Sequence, residues 1–373
     1  MKQRVVYCIP SLFAAGGTER VVINKANYLV AAGYDVVIVT TDQDGRVPFF
    51  HIDDRIIRYD LGINYYKNSK RTLGKKLFYY VYNRIVHKIR LRKLLKKLCS
   101  HVVISLYMNE MSILPYIKDG SKKILEFHFS RPFFTLNKRS GIKGLVEKFQ
   151  QRLDISHIRK YDRFVVLSEE DKRNWSECDN ISVIYNASSV SSERLCDGGD
   201  VIAVGRLTKQ KGFHRLVDVW AMVPPPFKLR IFGDGELRED LLNEIRRRNL
   251  SDRIFIEKPV QDIKTVYENS SILVMTSVFE GLPMVMIEAQ SCGLPVVAFD
   301  FPCGPLDVIN DGEDGFIIPN GDIDLMAKRI TTLLCDAELR RAMSFNAKKN
   351  SLRFDSDIIM KKWITLFGDI VKQ

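Results

Sequence analysis

Short apolar runs alternate along this chain with longer stretches of helical periodicity. Residues 5–10 and 35–40 read as buried strands on either side of a helix over 19–32. The runs at 101–106, 123–127, 163–167 and 181–185 continue the strand series. Residues 186–200, rich in Ser, Gly and Asp, then read as a linker. A second series follows at 201–204, 228–232, 253–256, 272–276, 296–299 and 316–319, again with helical stretches between. Two β/α series joined by a polar linker predict an α/β protein of two doubly wound, Rossmann-like domains facing a central cleft. The domains are expected over 1–187 and 188–354. The tail over 355–372 puts Ile359, Trp363, Leu366 and Ile370 at helical spacing, which predicts a final amphipathic helix.

One helical stretch carries two apolar stripes. Phe78, Val81, Tyr82, Ile85, Val86 and Ile89 cluster on one face, while Leu91, Leu94, Leu95 and Leu98 fall on roughly the opposite side. Three arrangements satisfy this pattern. The helix breaks near Arg90, or one stripe faces the core and the other outward, or both are buried in a larger domain. An outward stripe flanked by Arg84, Lys88, Arg92, Lys93, Lys96 and Lys97 suits an anionic phospholipid surface.

Charge sharpens that reading. Residues 1–187 hold 33 Lys and Arg against 18 Asp and Glu, whereas 188–373 hold 24 against 27. Residues 61–109 contain 12 basic residues and no acid, which equals the net charge of +12 on the whole chain. Such a block is either a solvated helix face or a surface for an anionic partner: a membrane, a nucleic acid or a phosphorylated substrate. Over 373 residues, 46% hydrophobic and 27% charged composition is that of a globular protein with a sizeable core. No apolar run approaches the 18 residues or so of a membrane span, and the first ten residues are too briefly apolar for a signal peptide. Seven cysteines without a C-x-x-C pair argue for a reducing, cytoplasmic setting and against a disulfide framework or a structural zinc site.

The most informative stretch for chemistry is Thr276-Ser277-Val278-Phe279-Glu280-Gly281-Leu282-Pro283-Met284-Val285-Met286-Ile287-Glu288. An apolar run ends in a loop holding Glu280 and Gly281, and Pro283 sits where a helix would begin. The free amides and positive dipole end of such a helix start suit a diphosphate. Glu288 follows about 7.5 Å further along the axis, within reach of a ribose diol. Gly16-Gly17, between a first strand and a helix, is a second candidate phosphate loop, or simply a tight turn. Gly233-Asp234-Gly235 lacks the third glycine of a dinucleotide fingerprint. Asp42-Gln43-Asp44 and Asp322-Ile323-Asp324 imitate a metal-binding D-x-D but sit among turn residues, so loop and cap carboxylates are expected and no metal.

Glu280 and Glu288 resemble the E-x7-E motif of the retaining GT-B glycosyltransferases often called family four. Val204-Gly205-Arg206-Leu207 with Lys209-Gln210-Lys211-Gly212, Ile231-Phe232-Gly233-Asp234-Gly235, Gly304-Pro305-Leu306-Asp307 and Gly16-Gly17-Thr18-Glu19-Arg20 resemble further landmarks in family order over nearly the whole chain. The resemblance implies that Arg206 and Lys211 grip the donor diphosphate and that Glu280 holds the sugar. It implies that Gly16, Gly17, Gly233, Gly235, Gly281, Leu282, Pro283 and Met284 line the donor site, with Glu288 on the ribose. His128, in Glu126-Phe127-His128, stands where the family often has an active-site histidine; a satisfied core histidine is the alternative. Lys258, in Ile256-Glu257-Lys258-Pro259-Val260, replaces a common glycine near the nucleotide base, a stretch in which Val260 is the expected contact. The implied activity is metal-independent, retaining transfer of a hexose or N-acetylhexosamine from a UDP-sugar, a substrate rather than a cofactor. The implied acceptor is a lipid-diphosphate-linked glycan of a bacterial surface polysaccharide such as capsule or O-antigen. The expected location is the inner face of the plasma membrane, docked through 67–97, with the last helix crossing back to the first domain. A sugar-nucleotide epimerase or phosphorylase would share the donor site. A nucleic-acid-binding protein would explain the basic half alone, and no nucleic acid is expected because no binding signature accompanies the charge.

Overall fold

In the computed structural model, residues 2–14, 16–70, 73–131, 142–195 and 198–372 are described. The strands are β1 Arg4–Ile9, β2 Asp35–Thr40, β3 Ile57–Asp60, β4 Val102–Ser105, β5 Lys122–Glu126, β6 Arg163–Val166, β7 Ile181–Val183, β8 Asp200–Val204, β9 Leu229–Phe232, β10 Ile254–Glu257, β11 Ser270–Met275, β12 Val296–Phe299 and β13 Gly315–Ile318. The helices are α1 Gly17–Ala31, α2 Leu73–Leu98, α3 Ile142–Ile158, α4 Glu169–Asn174, α5 Phe213–Met222, α6 Arg238–Arg247, α7 Ile263–Glu268, α8 Met284–Ser291, α9 Pro305–Val308, α10 Ile323–Cys335, α11 Ala337–Ser351 and α12 Ser356–Lys372.

Two all-parallel sheets result, ordered β3-β2-β1-β4-β5-β6-β7 and β10-β9-β8-β11-β12-β13. Each reverses strand order beside its first strand, where a doubly wound sheet opens a crevice at its strand ends. The inner strands are buried on both faces, as β4, β11 and β12 are throughout, which is why they read as unbroken apolar runs. β3 escapes that pattern. Ile57-Arg58-Tyr59-Asp60 is an edge strand paired only to β2 and largely exposed, so nothing apolar marks it.

α12 returns to the first sheet. Ile359, Met360, Trp363, Phe367 and Ile370 are buried among Val5, Tyr7, Leu29 and Ile38, and Leu366 packs half-buried at their edge. Each large apolar side chain so buried contributes about 2 kcal/mol.

α2 runs unbroken through Arg90, whose Nη1 donates to the Leu61 and Gly62 carbonyls. Leu91, Leu95 and Leu98 are buried in the core beneath β1, β2 and β4, and Leu94 and Val86 pack half-buried against it. Phe78, Val81, Tyr82, Ile85 and Ile89 are exposed instead. The helix therefore neither breaks nor buries both stripes, and Val86 turns inward, away from its sequence neighbours. His87 and Asn83 share the inward face, and His87 Nδ1 lies 3.0 Å from the Tyr65 hydroxyl. Among the described residues no helix is long and apolar enough to cross a membrane.

Candidate active site

A cavity of about 340 Å³ opens where the strand ends of the two sheets face each other. Its walls come from loops that follow β5 (His128, Phe129), β6 (Leu167), β8 (Arg206, Gln210) and β11 (Phe279, Glu280, Gly281, Leu282 and Met284), with Gly17 and Thr18 of α1 and Asn186 beyond β7. Gly281 is the point of closest approach: a Cβ there would stand 2.5 Å from the His128 carbonyl oxygen. Any other residue would push the two loops apart.

Glu280 is the most heavily coordinated group in the wall. Its Oε1 accepts from Lys211 Nζ at 2.6 Å and from Ser277 Oγ at 2.8 Å. Gln210 Nε2 donates to the Phe279 carbonyl at 3.1 Å, while Val278 N donates back to the Gln210 carbonyl at 2.8 Å. The β8 and β11 loops are thereby fixed to one another. Arg206, exposed on the same wall, has no ion-pair partner among the described residues.

Beneath His128 lies a buried charge cluster. Its Nε2 stands 3.0 Å from Glu126 Oε1, and Lys25 Nζ of α1 contacts that same oxygen. Burial alone pushes the Glu126 carboxyl up, but Lys25 and His128 outweigh it and hold the group down at about 2. Lys25 lies over the ring of Trp363 from α12, 4.3 Å from its centroid. Above them Glu19 folds back over Gly16, and partial burial raises its carboxyl despite nearby His128 and Arg206.

Glu288 sits deeper. It accepts from Arg20 Nη1 at 3.2 Å, Ser189 Oγ at 2.8 Å and the Tyr267 hydroxyl at 3.2 Å. A second bridge joins the halves at the far side. Asp307 Oδ1 accepts from Glu169 N at 3.0 Å and the Tyr185 hydroxyl at 3.1 Å, and Oδ2 from Glu170 N at 3.3 Å. The carboxylate of one half thus caps a helix start of the other.

Two family models tile the chain: Glycosyltransferase Family 4 over residues 15–191 and Glycosyl transferases group 1 over 193–350. A Haemophilus influenzae protein named as an uncharacterised glycosyltransferase is 30% identical over 97% of this chain and 99% of its own length. The chain belongs to the family 4 glycosyltransferases.

Another relative in this family is the amylovoran biosynthesis glycosyltransferase of Erwinia amylovora, 28% identical over 96% of this chain and 98% of its own. Among solved structures, S. aureus TarM with UDP bound superposes with a TM-score of 0.77 at 18% identity, covering 98% of this chain and 99% of that one. The lipopolysaccharide outer core galactosyltransferase WaaB gives 0.75 at 20%, covering 98% and 100%. These neighbours share the GT-B fold.

The residues singled out from the sequence divide into three groups. Gly17, His128, Arg206, Glu280, Gly281, Leu282 and Met284 meet at the cavity. Lys211, Gly16, Pro283 and Glu288 stand just behind its walls: Lys211 pairs with Glu280, Gly16 caps α1 and Pro283 caps α8 rather than opening it as its first residue. Gly233 and Gly235 lie under the Gly205–Leu207 backbone; a Cβ on Gly233 would meet the Gly205 carbonyl oxygen at 1.9 Å. They let two loops close rather than lining the cavity. Val260 is exposed on the loop after β10 and does not line it either.

The two D-x-D look-alikes are engaged elsewhere. Asp42 accepts from Tyr65 N, Asp44 from Tyr66 and Lys67, and Asp322 caps α10. Thr18, Phe129, Asn186, Gln210 and Phe279 line the cavity without having been singled out for it. Gln210 and Thr18 lie inside stretches that resemble family landmarks, and Phe279 directly precedes Glu280; Phe129 carries no local signal. Asn186 Oδ1 is buried with no hydrogen-bond partner among the described residues, which suits a substrate hydroxyl.

Proposed function

We propose that this family 4 glycosyltransferase moves a hexose or N-acetylhexosamine from a UDP-sugar, with retention, to a lipid-linked glycan in bacterial surface-polysaccharide synthesis. The observation that carries the reading is the meeting of Arg206, the Glu280–Lys211 pair, the start of α8 and His128 around one cavity. The bond from sugar C1 to the leaving phosphate oxygen breaks, its electrons leaving with UDP. The acceptor oxygen bonds to C1 on the same face, and its proton passes to the departing phosphate. Arg206 and Lys211 meet the charge growing on that phosphate, as does the N-terminus of α8. Glu280 holds sugar hydroxyls, Glu288 the ribose, and His128 the sugar or acceptor side. The reading assigns the acceptor to residues 1–187 with α12, and the donor to 188–354.

Relatives point the same way. One is a Staphylococcus aureus poly(ribitol-phosphate) alpha-N-acetylglucosaminyltransferase, 29% identical over 62% of this chain, and another the Erwinia amylovoran enzyme. The exposed stripe of α2 supports docking on an anionic inner membrane face. Phe78, Val81, Tyr82 and Ile85 stand outward, and Arg92, Lys93 and Lys96 continue the same face at 100° per residue.

UDP release from a panel of UDP-sugars, with EDTA present and GDP- and ADP-sugars as controls, tests the reaction. Slow hydrolysis or transfer from one UDP-sugar is expected. Epimer formation without release would favour an epimerase, and silence with every donor, joined by no UDP binding in calorimetry, would overturn the proposal.

A further inference from the structure

We infer that Arg20 and Ser189 are specificity-determining residues of the donor site: they close one oxygen of Glu288, so that this carboxylate reads a single ribose hydroxyl rather than the diol. The inference rests on the proposed reading of Glu288 as the group that meets the ribose.

An ionised carboxylate accepts about four hydrogen bonds, two at each oxygen. Glu288 Oε1 takes one from Arg20 Nη1 at 3.2 Å and one from Ser189 Oγ at 2.8 Å, so both its places are filled. Oε2 takes one from the Tyr267 hydroxyl at 3.2 Å, which leaves one place open among the described residues. A ribose diol brings two donors. Met284, one turn earlier on the same face of α8, lines the cavity, so a nucleotide seated there comes within reach of this carboxylate.

What each eviction would cost decides whether the second hydroxyl displaces a protein donor. Among the described residues Arg20 is the only cation on Glu288, whose side chain is 5% exposed. Exchanging that charge-assisted contact for a neutral hydroxyl gives up the stronger bond and strands a buried charge. The guanidinium is also held over the Phe50 ring, 5.9 Å from its centroid. Ser189 is neutral, but the chain on either side of it is pinned. The Ser188 amide donates to the Phe354 carbonyl at 2.9 Å, and Val190 is buried. Tyr267 is wholly buried. All three donors therefore stay, and one hydroxyl takes the place left on Oε2. A side chain from α1, in the first half, thus sets what the second half reads of its nucleotide.

The test is calorimetry of the full chain with UDP, 2′-deoxy-UDP and 3′-deoxy-UDP. In the wild type one deoxy analogue should bind within about twofold of UDP, and the other about tenfold more weakly. Arg20→Met opens a second place on Oε1, and UDP should then bind about tenfold tighter than either analogue. Equal losses for both analogues in the wild type would overturn the inference. So would a one-sided pattern that persists in folded Arg20→Met, or a uniform loss of all three ligands there, which would make Arg20 merely structural. The wild-type comparison needs no variant that might misfold. If neither analogue loses affinity and Glu288→Gln binds UDP as the wild type does, the ribose reading of Glu288 itself fails, and the inference falls with it.

Discussion

Arg20 Nη1 on α1 stands 3.2 Å from Glu288 Oε1 on α8, joining the two halves of the molecule directly behind the cavity. The glutamate that the family resemblance assigns to the ribose is thus already satisfied by protein donors, Ser189 and Tyr267 included. A ribose diol must share or displace them. Glu288→Gln keeps the volume but loses the charge-assisted contact, so UDP affinity should fall about tenfold. Calorimetry with UDP checks this, and an unchanged Kd would remove Glu288 from the ribose.

Arg206 and Lys211 should behave differently when truncated. Arg206 is exposed, so Arg206→Ala should lower kcat about 100-fold while leaving Tm within about 2 °C. Lys211→Ala also strips Glu280 of its ion-pair partner, leaving Ser277 and Gln210, and should lower both kcat and Tm. Thermal melts run beside turnover assays separate the two behaviours.

Charge reversal on α2 addresses docking. Arg92→Glu, Lys93→Glu and Lys96→Glu together alter only exposed positions, so the fold should survive. Binding to anionic vesicles should be lost, as each basic residue contributes about 1 kcal/mol at such a surface. Undiminished vesicle binding would rule out this face, and stronger retention on nucleic acid than on vesicles would reopen the alternative use of the basic half.

Glu110 gives a pH signature unrelated to the cavity. It is fully buried, its Oε1 accepts from Ser105 Oγ at 3.0 Å, and burial pushes its carboxyl up to about 7. A carboxyl raised on folding contributes stability that is complete below its unfolded value and is lost as pH rises through about 7. Glu110→Gln should therefore melt higher than the wild type at pH 8, with the advantage vanishing near pH 5. Melting curves at the two pH values decide it; equal curves at pH 8 would show that Glu110 ionises freely.

Much of the fold is legible in the chain because parallel strands buried on both faces leave continuous apolar runs, and loops at their ends collect glycines and charges. β3 is not, since an edge strand such as Ile57-Arg58-Tyr59-Asp60 needs no apolar face. At the site, the Glu280 loop and Arg206 announce themselves through local context. Lys25 does not: inside Val21-Val22-Ile23-Asn24-Lys25-Ala26 it reads as a helix surface residue, and only the return of Trp363 shows it to be buried. Asp307 capping α4 is likewise invisible locally, because donor and acceptor lie 137 residues and more apart in the chain. Val260 shows the converse: its place in a family-like stretch suggests a donor contact, yet it is exposed and is not among the residues that line the cavity.

The return of α12 also fixes an order of events during synthesis. The second sheet, β8 to β13, is complete in the nascent chain before α12 is made, and its own core needs nothing from that helix. The first sheet is translated earlier but waits, since Ile359, Trp363, Phe367 and Ile370 seal the layer over β1 and α1. The half made first on the ribosome is the half that finishes last, with its apolar face uncovered throughout.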